Sequence, residues 1–402
     1  MGRTDRAAAT AIATGALALR IPAFLAARHL SFDDGVYGAS AMALRTGALP
    51  FRQVFSSQGP LFLPLVWLFD LVGLRTLDAP RLLALVSGLA LVAAVWVTAR
   101  LLGLSPVAAA VAAGLVAVSG SVLWVTGPLT SDGPGLALAA AAVAAALRYR
   151  RSPGLGPAVL AGALLGAALS VKSLLLGTAV PVGWALLPNR RHLAAALAAA
   201  GAVSFLVAVP WGLGNVWDQA FRYHLEAAGP RTPVRNLRKV ASTLSDRDLP
   251  LVVAAVAAGA GVLLARRRAA AVTRRPSAAG GGLWAVAAWL AGTVVVLALE
   301  HPLWRNHVAH LIPPAALLVA AGLDRLRRPA AVAVAAVVAV ALPYHMVHVS
   351  EVLWPAPPGA ALAAARADLR ALPAGAEAIS DDPGVVWRAG RRTPADLVDT
   401  SI

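Results

Sequence analysis

Between residues 7 and 345 the chain is a succession of apolar segments built from Ala, Val and Leu, and roughly every second junction between them holds Arg. Segments of this kind can be buried only in one another or in lipid. The 402 residues are 59% hydrophobic and 13% charged, with mean hydropathy +0.72. That is too little surface charge for an ordinary soluble fold, and it fits a chain that crosses a membrane many times. The segments lack the alternation of outer-membrane barrel strands, so their backbone hydrogen bonds must close within helices. The predicted fold class is an all-α polytopic membrane protein. Cysteine is absent, which excludes disulfides and thiolate metal sites.

Eleven spans are predicted, at 7–27, 82–102, 106–126, 134–148, 156–171, 173–187, 193–213, 249–266, 282–299, 306–322 and 329–345. The stretch 61–74, LFLPLVWLFDLVGL, is apolar but short, and it carries Pro64 and Asp70. It suits a helix lying at the interface better than a crossing. With 61–74 outside the membrane, every tight Arg cluster falls on one side: Arg3 and Arg6; Arg100; Arg148, Arg150 and Arg151; Arg190 and Arg191; Arg266, Arg267, Arg268, Arg274 and Arg275; Arg325, Arg327 and Arg328. By the positive-inside rule that side is the cytoplasm. The N-terminus is then cytoplasmic, as an uncleaved signal anchor, and the C-terminus extracytoplasmic. Residues 1–345 read as a transmembrane module with a first outside loop at 28–81 and a basic outside loop at 214–248. Residues 346–402 read as a short extracytoplasmic tail or truncated domain. The net charge of +16 lies mostly at span ends rather than along one face, which argues against a nucleic-acid partner.

This topology gathers five polar insertions on the outer side. The first is SFDDGVYG, where Asp33 and Asp34 stand side by side in an acid-poor chain. Adjacent carboxylates repel, which raises one pKa or recruits a cation, as a general base or a hard-metal ligand requires. Ser31, Asp33 and Asp34 are equally good caps for a helix through YGASAMALR. Asp132, in TGPLTSDGPG, is a second outward carboxylate that also suits a helix cap. Lys172, one of two lysines, lies between apolar runs, where a cation must meet an anion or snorkel. The loop 214–248 carries Arg231, Arg235 and Arg238, and EHPLWRNHVAH carries Glu300, His301, Arg305, His307 and His310. Arginine at those points suits phosphate, while the histidines leave a His/Glu metal site open.

The order of these segments resembles the GT-C membrane glycosyltransferases, especially family 39, which includes protein O-mannosyltransferases and bacterial aminoarabinose transferases. FDDGVYGASAMALRTGALPFRQVFSSQGPLFLPLVWLFDLVG resembles that family's first acidic loop with its interfacial helices, and LTSDGPGLAL resembles the second acidic loop. SVKSLLLG is similar to the Lys-Gly step after a short helix, with Ser173 in the glycine position. HPLWRNHVAHLIPPAALL is similar to the late segment near the lipid donor.

The resemblance implies a bundle of about eleven transmembrane helices in a bacterial plasma membrane. It also implies an enzyme that moves a sugar from a polyprenyl-phosphate-linked donor to a hydroxyl on a protein, lipid or glycan acceptor. Asp33 is then the expected general base, with Asp34 beside it, and Asp132 and Tyr37 organise the acceptor. Lys172, Arg231, Arg235, Arg238, Arg305 and His307 are expected at the donor phosphate. A divalent cation, Mg or Mn, held by Asp34 and Asp132, is the cofactor option. The competing expectation is a transporter or flippase for a lipid-linked or anionic solute, which would gather ionisable groups at the membrane midplane.

Overall fold

The computed structural model describes residues 3–226, 229, 232–269, 279–326, 328–373 and 375–399. Among these residues it is helical, with two isolated β-bridges and no strand. Helices α1 (Arg3–Ala18) and α2 (Ile21–Phe24) form the first apolar segment, and α3 (Phe32–Arg45) and α4 (Phe62–Val72) lie in the first predicted outside loop. Then follow α5 (Leu82–Leu101), α6 (Pro106–Val118), α7 (Gly120–Thr126), α8 (Asp132–Arg151), α9 (Leu155–Val171), α10 (Ala179–Leu186) and α11 (Arg190–Ala208). The basic loop contains α12 (Leu213–Trp217), α13 (Tyr223–Glu226) and α14 (Pro233–Arg247). After it come α15 (Leu249–Ala269), α16 (Ala279–Leu299), α17 (Ile312–Leu323) and α18 (Arg328–His348). The tail folds as α19 (Ser350–Leu353), α20 (Ala360–Ala371) and α21 (Pro383–Arg388).

Each of the eleven predicted spans falls on an apolar helical stretch. Among the described residues five stretches are long and apolar enough to cross a membrane, and the bent α6–α7 pair makes a sixth. Leu155–Val171 and Ser173–Leu186 are apolar but shorter than a full crossing. Length and composition therefore support a polytopic membrane protein with five or six full-length candidates rather than the finer count of eleven.

Small residues bring the helices together. Lipid tails are as apolar as leucine, so membrane helices associate by close packing. A Cβ on Gly162 would stand 2.0 Å from the Ala196 carbonyl oxygen, and one on Gly166 would stand 2.4 Å from that of Ala200. This pair, one turn apart on α9, lets its backbone touch that of α11.

Breaks in the helices are held by buried polar groups. Arg20, where α1 gives way to α2, is fully buried and donates to the Thr126 hydroxyl at 3.0 Å and to the carbonyls of Ala16 and Ala117 at 3.1 and 3.3 Å. Such acceptors offset the cost of an arginine within apolar surroundings. The α6–α7 pair bends by 61°. At that bend the Ser119 hydroxyl caps α7 by accepting from Val122 N at 3.2 Å and donates to buried Asp248 at 2.5 Å.

The first loop is a packed unit. Eleven residues of α4 rise about 16 Å, half the hydrocarbon thickness, so the helix is too short to cross. Buried Asp70 near its end pairs with Arg45 at the end of α3, at 2.6 Å. Between α3 and α4 lies a small apolar core of Val36, Tyr37, Phe62, Leu63 and Val66, with Leu129 and Val171 from the helical bundle. Trp387 and Val398 of the tail are buried in the same core. The tail is thus folded onto the first loop.

Candidate active site

The turn before α3 separates its two acids. Ser31 caps the helix by accepting from Asp34 N at 3.2 Å. Successive helical residues point about 100° apart, so the neighbouring carboxylates reach different surroundings.

Asp34 is fully buried. Its oxygens receive Arg81 Nε at 3.1 Å and Arg81 Nη2 at 2.5 Å, and also the backbone amides of Leu30 at 2.9 Å and Leu129 at 3.0 Å. Arg81 spends its remaining donors on the carbonyls of Ala26 and Arg28. Every hydrogen-bonding position of this carboxylate that the fold can reach is taken. In this structure Asp34, expected from sequence beside the general base or at a metal, fastens the start of α3 to the start of α5 and to the loop before α8.

Asp33 is only partly buried, and the charges of a polar cluster drawn from distant segments act on it. Within it, Lys172 Nζ lies 3.7 Å from Asp132 Oδ2 and donates to Gln58 Oε1 at 3.1 Å and to Ser131 Oγ at 3.3 Å. Ser131 Oγ in turn donates to Gln58 Oε1 at 2.8 Å. On the far side of Asp132, His310 Nε2 is 2.7 Å from Oδ1, and the His307 ring stacks on that of His310 with centroids 6.0 Å apart. The side-chain Nδ1 atoms of both histidines are buried without a partner. Tyr37, one turn after Asp33 on α3, stands edge-on to Phe62 at 4.6 Å and is hydrogen-bonded to Gln58.

Burial pushes the Asp33 carboxyl up to about 6. Lys172 opposes that rise, while the carboxylates of Asp132, Asp399 and Asp34 add to it. The same burial, with Asp33, Asp399 and Asp132 nearby, drives the Tyr37 phenol well above its ordinary range, so it stays protonated as a donor. A carboxylate that titrates near neutrality beside an ordered cation and a phenol donor can accept a proton from an incoming hydroxyl.

The architecture has solved counterparts. ArnT from Cupriavidus metallidurans bound to undecaprenyl phosphate superposes with TM-score 0.63 at 16% identity, over 96% of this chain and 84% of that one. The Archaeoglobus fulgidus oligosaccharyltransferase tethered to an acceptor peptide superposes with TM-score 0.63 at 14% identity, over 98% of this chain and 64% of that one. The fold is that of the GT-C glycosyltransferases. No protein-family model and no curated protein matches the sequence. The GT-C fold thus emerges from the path of the backbone, while identities this low leave the roles of side chains to their own geometry.

Within the GT-C fold the predicted residues divide into two groups. Asp33, Tyr37, Asp132, Lys172 and His307 converge on the cluster. Arg235 and Arg238 are exposed on α14, whose buried edge is Asn236, Val240 and Thr243. Arg305 pairs at the surface with Asp246 at 2.5 Å. The predicted phosphate group is therefore split, with Lys172 and His307 in the cluster and the arginines on an outer patch. Arg231 lies outside the described residues. Gln58, Ser131, His310 and Asp399 join the cluster without having been assigned to it from sequence. Ser131 and His310 stand within segments already singled out, while SSQGP gives little sign of Gln58 beyond its place after an acidic loop.

The same geometry tests the divalent cation. Asp34 is saturated by Arg81 and two amides, and Asp132 is flanked by Lys172 and His310. Those surroundings already supply positive charge and donors, so this pair of carboxylates does not fit a metal ion. Among the described residues no group of three or more His, Asp or Glu is placed to hold one.

Proposed function

We propose that the protein is a membrane glycosyltransferase that moves a sugar from a polyprenyl-phosphate-linked donor to an acceptor hydroxyl at the outer face of the membrane. The observation that carries this reading is the convergence of Asp33, Asp132 and Lys172 from three separate segments, in a fold shared with a protein holding undecaprenyl phosphate.

In this mechanism Asp33 takes the proton of the acceptor hydroxyl as that oxygen forms a bond to the anomeric carbon of the sugar. The bond from that carbon to the lipid phosphate oxygen breaks, and the electron pair leaves with the phosphate. Tyr37 and Gln58 orient the hydroxyl, and Lys172 supplies positive charge toward the departing phosphate. Asp132, gripped by His310, holds Lys172 in place. The acceptor is a hydroxyl-bearing protein, lipid or glycan.

The test is transfer of sugar from undecaprenyl-phosphate-linked hexoses and pentoses by the purified full chain in lipid nanodiscs. Asp33→Asn is expected to lower transfer by about 10²–10⁴-fold with folding and membrane insertion intact. Transfer at the wild-type rate by that variant removes Asp33 from the reaction.

A further inference from the structure

Just past the end of α11 a helix carries an apolar stripe on its outside. Gly212 turns the chain there with a φ of 89°, a conformation that residues bearing a Cβ seldom adopt. Helix α12 then runs through one wide π-turn, Asp218–Arg222, into α13, so 213–226 is a continuous helical stretch. The Asn215 side chain donates to the Trp211 carbonyl at 3.1 Å, which ties this stretch to the helix before it.

The sequence divides 213–226 into three faces, because successive helical residues point about 100° apart and residues four apart share a side. The first face packs on the first loop. Val216 and Ala220 are buried with Phe51 and Ala208. Gln219 Oε1 accepts from Ser56 N at 3.0 Å, and Gln219 Nε2 donates to the Phe51 carbonyl at 2.9 Å. Tyr223 stands edge-on to Phe55 with centroids 5.5 Å apart, and His224 Nε2 lies 2.7 Å from the Ser57 carbonyl oxygen. This face therefore clamps 51–57, the segment that leads into Gln58. The second face is charged, with Arg222 paired to Glu226 at 2.7 Å and to Asp218 at 3.5 Å. Between the two runs the stripe of Leu213, Trp217, Phe221 and Leu225, which are 40% to 64% exposed. Trp217 and Phe221 stack on each other with centroids 5.7 Å apart.

We infer that 213–226 lies in the membrane interface, with its apolar stripe in lipid and its packed face bracing the first loop beside the candidate site. Two observations choose lipid as the occupant. The stripe starts where the candidate span Arg190–Trp211 ends, and an apolar window of that span is only 11% buried within the protein. Leu197, Phe205, Leu206 and Val209 are exposed along it. A helix that apolar and that bare belongs in hydrocarbon, and the stripe continues its lipid-facing surface. The second observation is the order of the faces. An apolar side with tryptophan, flanked by protein on one edge and by charge on the other, suits a helix lying at headgroup level. The charged face holds two acids for one arginine, so attraction to anionic headgroups does not hold the helix down. The attachment is apolar and indifferent to lipid charge.

Single nitroxide labels on the full chain test this, because the sequence has no cysteine of its own. Phe221→Cys, Leu225→Cys and Arg222→Cys are labelled in phosphatidylcholine nanodiscs. Collision with oxygen, which concentrates in lipid, is compared with collision with an aqueous nickel chelate. Labels at positions 221 and 225 are expected about 5–10 Å below the lipid phosphates, and the label at 222 above them. The same depths are expected when anionic phosphatidylglycerol is added. Nickel collision at 221 and 225 equal to that at 222 overturns the seating, since the stripe then faces water. Low collision with both reagents at 221 and 225 also overturns it, since protein then covers the stripe, and spin–spin broadening identifies that protein as a second copy. Depths reached only with phosphatidylglycerol overturn the apolar attachment. Leu213→Cys gives the same reading from the other end of the stripe and leaves the stack of Trp217 on Phe221 intact.

Discussion

Asp34 sits in a closed knot of Arg81, Leu30 and Leu129, whereas Asp33, one residue earlier on the same helix, belongs to a polar cluster whose charges, Lys172 and Asp132 among them, act on it. Identical side chains, adjacent in sequence, have opposite fates. The knot satisfies its carboxylate completely and lies between the helical bundle, the first loop and the tail, so its chemistry is spent on holding segments together. The cluster leaves its carboxylate short of partners and under the influence of a cation, the condition under which a proton can be exchanged. Each region depends on the other: the knot fixes the start of α3, and the start of α3 aims Asp33.

The sharpest way to break this comparison is to cut the knot. Arg81→Met leaves Asp34 buried without its counter-charge and is expected to destabilise the fold by about 3–5 kcal/mol. Thermal unfolding and monodispersity in detergent read this directly. An Arg81→Met protein as stable as wild type would mean that Asp34 is not an anchor. Next in size is the loss of transfer expected for Asp33→Asn, which keeps the fold. A pair of variants that swapped these phenotypes would reverse the two roles. Smaller still is Lys172→Met. Its ammonium holds the Asp33 carboxyl below the level that burial alone would set, so removing it should push the acid limb of transfer above pH 6 and lower kcat/KM by about tenfold. An acid limb that stays put would take Lys172 out of the Asp33 environment.

Much of this was legible from sequence, because burial in a membrane leaves few options for a polar residue. The apolar segments and their Arg-bearing junctions lead to a helical polytopic fold, and the shortness of 61–74 leads to a helix that does not cross. Asp33, Asp132 and Lys172 stand out because ionisable groups are scarce in such a chain. What could not be read was which of two adjacent acids is spent on structure. That depends on Arg81, 47 residues beyond Asp34, whose place at the start of α5 looks in sequence like any basic residue at a span end. The placing of the arginines of 214–248 was hidden for the reverse reason. Their number suggested an anion site, but Arg235 and Arg238 lie on the exposed face of α14 because Asn236, Val240 and Thr243 claim its buried edge. Val398 was hidden by distance, since nothing in DLVDTSI shows that it joins the buried core that also holds Tyr37.

The smallest effect is the one that separates the two acids most cleanly, because it concerns stability alone. The Asp33 carboxyl titrates near 6 in the fold against 3.8 for an unperturbed aspartate. Above pH 6 it is charged in both the folded and the unfolded chain, and its burial works against folding. As the pH falls from 6 toward 3.8 the folded chain binds the proton first, and that burden is lifted. Asp33→Asn should therefore raise the unfolding temperature by about 2 °C at pH 7.5, with the gain fading by pH 4. Such a gain would be what a site that trades stability for reactivity predicts. A lower unfolding temperature at pH 7.5 would place Asp33 with Asp34 among the anchors, and the distinction between knot and cluster would fail.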